Sequence, residues 1–444
     1  VTNMFGYYLD LALRSFKRNR VLTALMVLAI ALGIGASMTT LTVFHVLSGD
    51  PIPSKSDRLF YVQLDSESIG GYQPGQEPQD QMTRYDAEHL LRDARGERQA
   101  FMSGASMAIE PDRPDLDPMR VDGRMTTADF FALFEVPFKY GTGWNKAEDE
   151  ARARVAVITS ELNDKLFDGG DSVGKTIRID QNTFTVAGVL EPWSAKPMFY
   201  DITVGRYNDE EQVYVPFWTA RELEFGTHGN FSCWGTPEAF EDAEPDPEGQ
   251  YGVNAFCAWL QYWVEMDPAK ADDYRQYLSN YSDQQRESGR FERPTNVRLR
   301  NVMEWLDHNG VVPQDVKLQA WLAFGFLLVC LINTVGLLLA KFLRRASEIG
   351  VRRALGASRK AIFAQCLVEA GMVGFAGGVL GLGLALLGLW AVRQQPTDYA
   401  ALAQLDLTML VTTFVLAIAA SVIAGLLPAW RACQVAPAIQ LKSQ

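Results

Sequence analysis

Apolar positions fall along this chain in two regimes. Residues 21–47, 318–340, 371–392 and 407–430 are apolar over most of their length and contain no Lys, Arg, Asp or Glu. Each is long enough to cross a ~30 Å hydrocarbon core, which takes ~20 residues, and a charge left there would be costly. The pattern predicts four transmembrane helices. Between the first two, residues 49–317 switch to short periods. "RLFYVQL", "KTIRID" and "TFTVAGVL" alternate as strands do, the last two forming a hairpin turned at Gln181–Asn182. "RYDAEHLLRDAR" and residues 268–288 carry helical spacing. "RVAVITSELNDKLF" reads as a strand running into a helix capped by Thr159 or Ser160, and "FCAWLQYWVEM" and residues 296–302 supply further strands. The predicted fold class is an α-helical membrane protein with four transmembrane helices. A large mixed α/β extracytoplasmic domain is inserted between helices 1 and 2.

Residues 1–20 place Phe5, Tyr8, Leu9, Ala12 and Phe16 on one helical face, with Asp10, Arg14, Lys17 and Arg18 elsewhere. That is an amphipathic helix suited to a lipid interface. Ala29/Gly33/Ser37, Gly374/Gly378 and Gly377/Gly381 form small-residue rows of the kind that let membrane helices approach closely.

Charge then orients the spans. The net charge is −12, divided as −21 over residues 49–317 and +9 over the rest. Basic residues gather before the first span and in 341–370, whereas 393–406 holds Arg393 against Asp398 and Asp406. The bias puts both termini and the 341–370 loop in the cytoplasm, and the large domain outside. Topology accounts for the charge without a nucleic-acid partner. Cys233 and Cys257 flank a Pro/Glu/Asp-rich stretch, 238–249, in the external domain. In an oxidising compartment they could pair, with two buried free thiols as the alternative.

Candidate chemistry is sparse. "GGDSVGKT", residues 169–176, satisfies the phosphate-loop pattern, but the strand-like "IRIDQNTFTVAGV" follows where a helix is needed. It reads as a turn entering a strand. His45, His89, His228 and His308 have no ligand spacing, and no nucleophile–base pattern stands out. No catalytic, metal or cofactor site is predicted. The informative stretch is "RRASEIGVRRALGASRKAIF", residues 344–363. The second-span helix can continue through Ile349 and Val351 to Leu355, with Gly356 just past its end and Ser358 capping the next helix. The result is a helical corner offering Glu348, Arg352 and Arg353 to a partner.

"ASEIGVRRALGASRKAIFAQCLVEA" followed by "GFAGGVLGLGLA" resembles the signature of FtsX-like ABC permeases, as does "LPAWRACQVAPAIQLK" after the last span. "RVAVITSELNDKLF" with "SVGKTIRIDQNTFTVAGVL" resembles the external core domain of the MacB type. The resemblance implies a permease worked from below by a cytoplasmic ABC ATPase dimer, paired with a second copy of itself or a sister permease in a bacterial inner membrane. It implies a porter (49–108 and 256–317), a sabre-like part (109–255), and coupling to the ATPase through Glu348, Gly350, Arg352, Arg353, Ala354, Gly356 and Arg359. ATP and Mg would be bound by a separate ATPase subunit, since the chain departs from MacB in lacking the fused nucleotide-binding domain. The implied function is export by mechanotransmission, toward a periplasmic adaptor and outer-membrane channel. The alternatives are activation of a periplasmic cell-wall hydrolase and release of lipoproteins.

Overall fold

The structure, a computed structural model, describes residues 2–18, 20–208, 211–234, 249–395 and 407–434. The acidic stretch 238–248, the loop 396–406 and the tail 435–444 lie outside the described residues. The chain forms two units, Val1–Gly49 with Val312–Gln444, and Asp50–Val311.

The first unit is helical. Among the described residues an N-terminal helix, Thr2–Arg18, precedes four helices long and apolar enough to cross a membrane: Arg20–Ser48, Gln314–Arg344, Arg359–Arg393 and Leu407–Cys433. The small-residue rows set their packing. A Cβ on Gly377 would lie 2.6 Å from Ile30, and one on Gly381 3.1 Å from Ile34, so that row lies against the first-span helix. The Gly374/Gly378 row lies against Ser421 and Ala417 of the fourth. Gly33 packs on Cys330, and the Ser37 hydroxyl donates to the Ala323 carbonyl at 3.1 Å, joining the first span to the second. Close backbone approach of this kind is how helices associate where lipid removes the hydrophobic incentive.

The second unit is built on one mixed sheet. Its strands are β1 (Leu59–Leu64), β2 (Met82–Thr83), β3 (Arg98–Glu110), β4 (Met119–Thr126), β5 (Phe138–Gly141), β6 (Val155–Thr159) and β7 (Thr176–Ile179). They continue with β8 (Asn182–Leu190), β9 (Val213–Pro216), β10 (Thr227–His228), β11 (Ser232–Cys233), β12 (Cys257–Glu265) and β13 (Val297–Asn301). The main path runs β13-β1-β12-β3-β4-β9-β6-β8-β5. Only β4/β9 and β6/β8 along it are parallel. Every residue of β12 is buried, so its aromatic run serves both faces of the sheet. Helix Arg84–Asp93, capped by Thr83, packs on β12, and helix Ala271–Glu287 on β13.

Two local readings of the sequence are corrected. The β7–β8 turn is centred on Asp180–Gln181, both at positive φ (45° and 67°), one residue earlier than the sequence predicts. Two left-handed residues match the twist of a two-residue hairpin. The second-span helix also does not continue to Leu355. It stops at Arg345 (φ −102°, ψ 10°), and a separate corner helix, Ala346–Ala354, starts from the same residue. The division at 108/109 falls inside β3. The first part of that strand pairs with β12 and the second with β4, Met102 facing both Gln261 and Thr126.

Candidate functional site

The corner between the second and third spans is held by backbone geometry. Gly356 follows the corner helix at φ +102°. Its N–H donates to the Arg353 carbonyl at 3.1 Å, and the Ala357 N–H to the Arg352 carbonyl at 3.0 Å. This is the Schellman pairing, which needs a left-handed residue where glycine stands. Ser358 then caps the third-span helix by accepting from the Ala361 N–H at 3.2 Å. These bonds turn the chain from the corner helix into the third-span helix.

The coupling residues implied by the sequence divide into two groups. Glu348 turns to its own chain: it accepts from Arg18 at 2.7 Å and Arg352 at 2.8 Å, and pairs with Arg345 at 3.5 Å. Burial alone would raise its pKa, but the Arg18 hydrogen bond and the Arg345 charge outweigh it and hold the carboxyl below its ordinary value. Arg352 also donates to Gln365 at 3.1 Å, Arg353 donates to the Cys433 carbonyl at 3.3 Å, and Gly350 is buried. Glu348 is therefore a brace of the corner. Ala354, Gly356 and Arg359 are exposed. With them stand Val351, 51% exposed, and Leu355, 83% exposed. Val351, Ala354 and Leu355 are three and four residues apart and share one helix face. The sequence reading passed over Val351 and Leu355 because apolar residues beside a span look like ordinary helix. Two large apolar residues one turn apart, beyond the basic cluster, were the available signal.

The phosphate-loop look-alike has a different architecture. A helix, Ser160–Phe167, precedes it and β7 follows, the reverse of the order that cradles phosphate. Gly174 N–H donates to the Val186 carbonyl, Val186 N–H to the Lys175 carbonyl and Lys175 N–H to the Ser172 carbonyl, each at 2.9 Å. The first two bonds tie the loop to β8 and the third closes a turn, so the Gly174 and Lys175 amides are spent within the fold. Lys175 Nζ sits 5.0 Å over the Phe167 ring. Cys233 and Cys257 face each other across β11 and β12 and are disulfide-bonded.

Among the described residues, four membrane-competent helices with a mixed α/β unit inserted between the first and second define the class as a membrane protein with a large inserted domain. Residues 23–245 match the MacB-like periplasmic core domain, and residues 320–437 match the FtsX-like permease C-terminal domain. The chain belongs to the MacB/FtsX-like family of ABC-transporter permeases. It is 25% identical over 440 residues to the macrolide export ATP-binding/permease protein MacB of Azoarcus sp. (strain BH72), covering 98% of this chain and 59% of that protein. It is 26% identical over 333 residues to the pyoverdine export ATP-binding/permease protein PvdT of Pseudomonas fluorescens (strain Pf0-1), covering 74% of this chain and 44% of that one. The chain thus spans less than two thirds of the length of either relative. The crystal structure of the periplasmic region of MacB from Actinobacillus actinomycetemcomitans aligns at a TM-score of 0.36 and 11% identity, covering 56% of this chain and 92% of that one.

Proposed function

We propose that the chain is the permease subunit of an ATP-driven exporter of the MacB/FtsX type, in which ATPase motion is received at the corner and passed to the α/β unit. The carrying observation is the exposed Val351–Ala354–Leu355 face on a corner fixed by the Gly356 cap and braced through Glu348. Large apolar side chains outside the spans call for a partner, and burying one leucine is worth ~1.5–3 kcal/mol. The partner is an ABC ATPase dimer, binding ATP and Mg. A second permease copy or a sister permease completes the assembly, in an inner membrane with both termini cytoplasmic, as the basic bias around 341–370 supports. The relatives' names, macrolide and pyoverdine export, support outward movement of a small molecule; on this reading a periplasmic adaptor and outer-membrane channel carry it onward.

The test is Leu355→Asp, alone and with Val351→Asp, in the full chain co-expressed with its ATPase. ATPase copurification should fall at least tenfold, equivalent to ~1.4 kcal/mol, with membrane insertion unchanged. Undiminished copurification and export in the double variant would sink the docking face.

A further inference from the structure

The helix break at Arg345 leaves no continuous backbone helix between the corner and the second span, yet side chains bridge it. Glu369 of the third-span helix is 2% exposed. Its carboxylate meets Lys341 Nζ at 2.6 Å and Arg345 Nη1 at 3.0 Å, and accepts from the Ser15 hydroxyl. The Lys341 contact is ionic and is not aligned as a hydrogen bond. Lys341 is fully buried, with its ammonium 5.3 Å over the Phe16 ring. Arg345 also donates to Ser15 at 3.1 Å, and its other edge faces Glu348 at 3.5 Å. Glu348 in turn holds Arg18. Charges therefore alternate along one line, Lys341, Glu369, Arg345, Glu348, Arg18, through the second span, third span, break, corner helix and N-terminal helix.

Cohesion alone does not call for such a line. Desolvating ions is costly, and well-packed apolar residues hold a fold as well or better. What ion pairs add is direction: each charge prefers one arrangement, so a displaced member pulls its neighbours into register. We propose that Arg345 and Glu369 are positioning residues that make the corner, the base of the second and third spans and the N-terminal helix move as one body when the ATPase acts. The N-terminal helix is then a working part of the permease, beyond its role as an interfacial anchor. This inference rests on the function proposed above.

The experiment replaces the buried charges by apolar groups in the full chain in lipid nanodiscs: Lys341→Met, Glu369→Leu and Ser15→Ala together. Spin labels go on Leu13 and Ser347, both exposed, on the N-terminal helix and the corner. In the parent chain the Leu13–Ser347 distance distribution should be narrow and keep its mean when ATP is added to the ATPase complex. The triple variant should retain ATPase copurification within about twofold. Its distance distribution should broaden, and export per ATP hydrolysed should fall at least about tenfold. If it fails to fold, Glu369→Gln alone, isosteric but uncharged, should broaden the distribution in the same direction. A parent distance that shifts with ATP, or a variant that couples like the parent, overturns the inference. If the parent binds no ATPase, it is the function proposed above that fails. The distance arm then decides alone, and equal widths in parent and variant refute the single body.

Discussion

Gly356 offers the cleanest perturbation of the corner. Its φ is +102°, and a Cβ built there meets nothing within 4 Å. Alanine would therefore add no steric contact, and its whole cost is the left-handed backbone, ~1–2 kcal/mol for an L-residue. That lowers the equilibrium constant for the closed corner by ~5–30-fold. Asparagine tolerates the left-handed region better and should cost less. Proline cannot reach positive φ and also deletes the Gly356 N–H bond to the Arg353 carbonyl, adding ~0.5–1.5 kcal/mol. The Ala357 N–H, bonded to the Arg352 carbonyl in every variant that closes, is the reporter. Its hydrogen exchange in the full chain should accelerate in the order Gly, Asn, Ala, Pro, with the Ala variant ~5–30-fold faster than the parent. ATPase copurification should follow the same order. If Gly356→Ala exchanges at the parent rate, the left-handed cap does not hold the corner, and the docking face loses its rigid support.

Two further outcomes concern the α/β unit. Cys233 and Cys257 close a loop with a sequence separation of 24, so the double serine variant should lose ~3 kcal/mol of stability. Its urea midpoint should match that of the reduced parent; a parent indifferent to reductant would count against the bridge. Burial pushes the Asp149 carboxyl up to about 7, against hydrogen bonds from the Ala128 N–H and Trp144 Nε1 that pull it down. The native state then holds this proton more tightly than the unfolded chain, so stability falls as pH rises from about 4 and levels off above about 7. The loss between pH 5 and 8 is at most ~3 kcal/mol. Asp149→Asn should flatten that dependence in urea titrations followed by tryptophan fluorescence, and an unchanged slope would assign it elsewhere.

What the sequence disclosed follows from what is local. Spans and strands show as uninterrupted or alternating apolar runs, and Thr159, Ser358 and Gly356 announce helix ends through their own side chains or lack of one. The break at Arg345 carries no such mark, since "KFLRRASEIG" contains neither proline nor an early glycine and reads as good helix. Glu348 looked available to a partner because its strongest neighbour, Arg18, lies 330 residues away. The same distance in sequence hid Ser15 from Glu369. A lone glutamate two residues before an apolar run was nonetheless a signal, because a carboxylate packed among helices must be paired. Exposure was the least legible property: only the packed helices show that Leu355 stays outside while Leu338 is fully buried.

On the function proposed, the mechanical demand falls on how a push at the corner reaches the α/β unit. Both ends of that unit are covalently tied to spans, at Gly49 and Val312, so a push can reach it along the first and second helices. The second is reached across Arg345 and Lys341. The first contacts the third where Ile30 and Ile34 sit over Gly377 and Gly381, too close for even a methyl group at Gly377. Neither helix can slide past the other without lifting an isoleucine out of its groove, because close-packed interiors shift between discrete arrangements and do not deform smoothly. Displacement at Glu369 is then shared by the third and first spans together. Glycine rows without the charged line would leave the corner free to swing at its break. The charged line without the rows would move a bundle that absorbs the motion internally. Each makes mechanical sense only with the other, which is why the loss of either should uncouple hydrolysis from export without unfolding the chain.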